Sequence, residues 1–140
     1  MKKFVTATLL TLAVITAHAQ IETSALPSSL GKTMKAMSND LKTITTQGSN
    51  PQMNSSSATL ADEFVQLTLH AKDFTPDSIS SLSSDKRAAA KAEYDKQLDQ
   101  AADLGRQLAD AFRNNNNTQA AALLNQLVQA KKDGHDQFKN

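Results

Sequence analysis

The sequence predicts an all-α protein, an antiparallel up-down-up-down four-helix bundle. Three observations predict it. Apolar residues recur in alternating steps of four and three along four separate segments. Polar, turn-forming stretches at residues 47–56, 75–84 and 114–117 separate those segments. No run shows the strict alternation of a half-buried strand. Breaks this short force neighbouring helices to run antiparallel.

Composition narrows the function classes. The chain has 140 residues, enough for one domain with its own core. It has no cysteine, which removes disulfides, thiolate metal sites and cysteine nucleophiles. It has no tryptophan and a net charge of +1, so neither a stacking platform nor a basic footprint for nucleic acid is present. There is no G-x-S-x-G, no glycine-rich phosphate loop, no H-E-x-x-H and no calcium loop. The carboxylates are scattered on polar faces without a paired acid and base.

The elements follow in order. Residues 1–19 read as a cleaved secretory signal peptide. Lys2 and Lys3 precede an uncharged apolar run over 4–16, and Ala17 and Ala19 supply the small residues read at cleavage before Gln20. The run is well short of the ~20 residues that span a bilayer, so a membrane anchor is the weaker reading. The expected mature domain is 20–140, and an exported, cysteine-free chain suits a bacterial periplasm. The first segment carries Leu30, Met34, Met37, Leu41 and Ile44, with Pro27 expected in its first turn. The second carries Leu60, Phe64, Leu67, Ala71 and Phe74, and Pro76 follows it. The third carries Tyr94, Leu98, Ala101, Gly105, Leu108 and Phe112, with Ser84 as its expected cap. The fourth carries Leu124, Val128, Lys131, His135 and Phe138, with Leu127 alongside and Asn117 or Thr118 as its cap.

One position on these lines is unusual for a plain core. His135 falls on the apolar line of the fourth segment, where a buried imidazole costs free energy unless its nitrogens find partners. The plain alternative is a charged imidazole pointing to water at a helix C-terminus. In an up-down-up-down bundle the start of the first helix and the end of the fourth share one end. Met34 and His135 are then expected to converge there. Thioether and imidazole are the axial ligand pair of many electron-transfer haems.

Residues 30–44, with Met34 on their apolar line, resemble the first helix of the cytochrome b562 family. Residues 121–139, with a histidine followed by polar residues and an aromatic, resemble its last helix. The resemblance implies a periplasmic antiparallel bundle holding one non-covalent haem b. It implies Met34 and His135 as the ligands of the iron. Leu30, Met37, Tyr94, Leu98, Leu127 and Val128 are implied as apolar walls, and Lys131 as the charge facing a propionate. The implied activity is one-electron transfer to redox partner proteins, by a monomer that transforms no substrate and touches neither nucleic acid nor membrane after export. Two other readings stay open. One is a haem-free periplasmic bundle that binds a partner protein through its helix faces. The other is a zinc or copper site formed by His70 and His135.

Overall fold

In the computed structural model the described residues are 25–138, and the expected signal segment lies outside them. The described residues form five helices and no strand: α1 (Leu30–Gln47), α2 (Asn54–Ala71), α3 (Asp77–Ser80), α4 (Ser84–Arg113) and α5 (Asn117–Phe138), with a 3-10 turn at Pro51–Met53. The four expected long helices are present. The fifth, α3, is a single turn inside the break at 75–84. The amides of Ile79 and Ser80 both donate to Pro76 O at 3.0 Å, and Ile79 is fully buried. One turn is too short to register as periodicity.

Local chemistry sets the helix ends. Ser29 caps α1, its Oγ accepting from the Lys32 amide at 3.3 Å. Pro27 therefore lies two residues before the cap, not in the first turn. Asn50 Oδ1 accepts from the Gln52 amide at 3.1 Å, and the turn from Pro51 runs directly into α2. The polar stretch expected to extend to residue 56 thus ends at Met53. Ser83, not Ser84, precedes α4. Asn116 Oδ1 accepts from the Gln119 amide at 3.1 Å, so the side chain capping α5 comes one residue before the expected ones. Asn115 takes φ 54°, the left-handed conformation that asparagine tolerates better than most residues.

Packing is uneven. α2 lies against both α1 and α4, α5 lies against α4, and the contact between α1 and α5 is the sparsest of the main ones. The α2–α4 approach is close because Gly105 has no side chain: a Cβ there would lie 2.7 Å from Val65 Cγ2 and 3.1 Å from Phe64 Cδ1. Ile44, Leu108, Phe112 and Leu127 are fully buried in one cluster. Each stabilises the fold by about 1.5–3 kcal/mol relative to exposure.

The long helices are tied at two places. Asn54 Nδ2 donates to the Oδ1 atoms of Asn115 and Asn117, both at 3.0 Å. Asn117 Nδ2 donates to Gly48 O and to Asn54 Oδ1, both at 2.8 Å. These bonds join the end of α1, the start of α2, the end of α4 and the start of α5. Elsewhere, the His70 ring meets Pro27 O at 2.9 Å, and Tyr94 donates to Ala71 O at 3.3 Å. The Tyr94 ring also packs edge-on against Phe138 at 5.3 Å. Those contacts gather the start of α1, the end of α2 and the end of α5 around the early part of α4. No helix among the described residues is long and apolar enough to cross a membrane.

Candidate functional site

The predicted site residues fall into two groups. Leu30 and Met34 are half-buried and pack against the cluster that contains Met37, Tyr94, Leu98 and Leu127. Tyr94 is held by its bond to Ala71 O and by Phe138, and Lys91 Nζ lies 5.5 Å from its ring centroid. Burial, with Asp95 nearby, pushes its phenol up to about 12. The second group lies outside the core. Val128 is 48% exposed, and the His135 side chain is 64% exposed. The nearest ion partner of His135 is the Asp136 carboxylate, 3.9 Å from Nδ1.

The line that faces the core on α5 is only in part the expected one: Leu127, Leu124 and Phe138 pack against the core, whereas Val128, Lys131 and His135 are exposed. The buried residues are Ala120, Leu123 and Leu127, and the half-buried Gly134 and Phe138 continue them. Both lines follow the same four-three spacing. The inner one includes two small residues, Ala120 and Gly134, among Leu123, Leu127 and Phe138. A Cβ on Gly134 would come within 3.7 Å of Gln97 Oε1, and Gln97 Nε2 donates to Gln137 Oε1 at 2.6 Å. Val128 and His135 consequently sit on the flank beside that line.

The flank faces α1. Lys131 Nζ donates to Ser38 Oγ at 2.6 Å, bridging the sparse seam between α5 and α1. Met34 lies one turn before Ser38, and His135 one turn after Lys131. Each step leads toward the helix terminus that belongs to the Pro27, Tyr94 and Phe138 group of contacts. Thioether and imidazole thus border the same seam near the same end, one half-buried and one exposed. Beside them, a surface cavity of about 260 Å³ is lined by Ser38, Leu41, Lys42, Thr45, Val128 and Lys131, among others. A second cavity, of about 330 Å³, lies near Asn54, Phe112 and Arg113, away from the predicted residues.

His70 is engaged elsewhere. Its Nε2 meets Pro27 O at 2.9 Å and its Nδ1 meets Asp73 Oδ2 at 3.1 Å, with Phe74 edge-on at 5.1 Å. Both ring nitrogens face oxygen atoms, so the ring ties the segment before α1 to the end of α2. Among the described residues no group of three or more histidine, cysteine, aspartate or glutamate side chains is placed to hold a metal ion.

One buried group escaped the sequence reading. Asp40 is 7% exposed, and its Oδ2 has no hydrogen-bond partner. Burial, with Glu63 adding repulsion, pushes its carboxyl up to about 7. Its spacing from Met37 and Ile44 was the available signal, because 37, 40 and 44 also form a three-four line. No protein-family model, curated protein or solved structure matches this chain.

Proposed function

We propose that this chain is an exported, periplasmic haem-b-binding electron carrier, folded as an antiparallel four-helix bundle of the cytochrome b562 type, with Met34 and His135 as axial ligands. The observation that carries the reading is the Lys131–Ser38 tie across the α1–α5 seam. It sets Met34 and His135 in register, one turn further along toward a common end, on the helix pair with the least contact. The donor chemistry fits haem iron: a soft neutral thioether and an imidazole whose one ion partner among the described residues is a carboxylate 3.9 Å away.

Haem iron would supply a one-electron couple between the ferric and ferrous states. The chain's own groups do the rest. Met34 would hold the iron through a neutral sulfur donor that favours the lower oxidation state, and His135 would hold it through an imidazole nitrogen. Leu30, Met37, Tyr94, Leu98 and Leu127 would supply the apolar wall that keeps water away, and Lys131 would balance the charge of a haem propionate. On this reading the protein is not an enzyme, works as a monomer and passes electrons to partner proteins.

The test is a visible spectrum of the mature protein titrated with haemin, oxidised and then reduced. Saturable one-to-one binding with sharp low-spin bands on reduction is expected. His135→Ala should abolish those bands and Met34→Leu should alter them. A weak, unsaturable shift would overturn the reading. The exposure of His135 and Val128 favours one second reading, a haem-free bundle that presents this flank to a partner protein. On that reading Met34→Leu leaves function unchanged.

A further inference from the structure

The charges of this molecule are unevenly paired. Away from the seam, most cations meet carboxylates: Lys72 with Asp99, Lys91 with Asp95, Arg106 with Asp103, and Arg113 with Asp62 and Asp110, whereas Lys86 and Arg87 at the start of α4 form no ion pair among the described residues. Along the seam they do not. α1 carries Lys32, Lys35 and Lys42, all exposed, and its only acid is the buried Asp40. α5 adds Lys131 and Lys132 next to the same seam. Among the described residues, none of these five lysines has a carboxylate within ion-pair distance. Lys32 and Lys131 bond only to the hydroxyls of Ser28 and Ser38. The acids of α5 are Asp133, which accepts from Gln129, and Asp136, beside His135. On the other side of α1, α2 carries Asp62 and Glu63 and neither lysine nor arginine.

We propose that the α1–α5 face, with Lys35, Lys42, Lys131 and Lys132 at its centre and Lys32 at its edge, is a docking surface for the acidic face of another protein. Five cations without an ion pair on one face, against the two exposed acids Asp133 and Asp136 of α5, create a local positive potential in a chain whose overall charge is only +1. Such a face steers encounter and sets orientation more than it adds lasting affinity. A protein fits it better than a lipid surface. Membrane-binding helices pair their lysines with a broad apolar face, whereas Val128 is the one large exposed hydrophobic residue on these two helices. The charge argument does not depend on haem, but the face borders Met34 and His135 and would bring an acidic partner to that edge.

The experiment is an amide-shift titration of the isotope-labelled mature protein, as purified and again after haemin addition, with a long poly-glutamate peptide as probe. Shifts confined to α1 and the second half of α5, weakened about tenfold or more on going from low to physiological salt, are expected. Lys35→Glu with Lys42→Glu and Lys132→Glu should remove them. The matching glutamines should weaken them and keep the helical circular dichroism. Lys86→Gln with Arg87→Gln and Lys96→Gln on α4 should weaken binding less than the matching glutamines on α1 and α5 do. Shifts spread evenly over the cations of α4, or salt-insensitive binding, would overturn the proposal. So would tighter binding to phosphatidylglycerol vesicles than to the peptide. Failure with a positive haemin titration would remove the docking face and leave the carrier reading standing, and the reverse result would do the opposite.

Discussion

Asp40→Asn is expected to stabilise the protein at neutral pH and to remove one component of its pH dependence. The carboxyl is 7% exposed and its Oδ2 is unpartnered. Its folded-state value is about 7 against an ordinary 3.8. Below the unfolded value both states hold the proton, and the fold bears no penalty. Between roughly 4 and 7 the unfolded chain ionises while the folded one keeps its proton, so stability falls by about 1.4 kcal/mol per pH unit. Above 7 the folded state ionises as well and the loss stops growing, at about 4 kcal/mol in total. Urea unfolding followed by circular dichroism at pH 5 and pH 8 should therefore show wild type weaker at the higher pH by about 3 kcal/mol from this group. The asparagine variant should lack that component and exceed wild type at pH 8 by about 1–3 kcal/mol, because its amide has imperfect partners. Glu63→Gln should recover a smaller part by removing the repulsion. Identical pH profiles for wild type and Asp40→Asn, or a variant weaker than wild type at pH 8, would refute the reasoning.

Other expectations concern packing. Gly134→Ala should stabilise by up to about 1 kcal/mol, since the added methyl meets only Gln97 Oε1 at an ordinary 3.7 Å and helix propensity improves. Gly105→Ala should do the opposite, losing about 1–3 kcal/mol as the methyl meets Val65 and Phe64; paired thermal melts would check both signs. Asn117→Ala should cost about 1–3 kcal/mol in urea unfolding, because Gly48 O and Asn54 lose their donor. Phe112→Ala should cost about 3–5 kcal/mol by the same assay, as a fully buried ring leaves a cavity.

The four long helices were legible because each repeats its apolar spacing over several turns. Leu41, Ile44, Phe64, Leu67, Leu98, Leu108 and Phe112 are buried as their spacing requires. The line on α5 was misplaced in part, for a physical reason. Leu127 and Val128 are both apolar, so hydropathy cannot choose between the two adjacent lines, and Gly134, which lies beside Gln97 of α4, has no side chain to mark the inner one next to His135. Spacing also cannot reveal that His70 already has two partners, since both lie in loops. Asp40 was hidden because a carboxylate is assigned to solvent by default.

The asparagine cluster gives the molecule an asymmetry that its helix lengths do not suggest. Four side-chain amide bonds lock four helix ends into one knot. Along the α1–α5 seam the described tie is a single lysine–serine bond. The opposite end is held differently, by the His70 ring on Pro27 O and the Tyr94 ring against Phe138. Both end groups fasten α1 and α5 to α2 and α4, so the two outer helices are braced through the inner pair and share little of their own. A substitution on the seam would therefore disturb surface chemistry while leaving both braces intact.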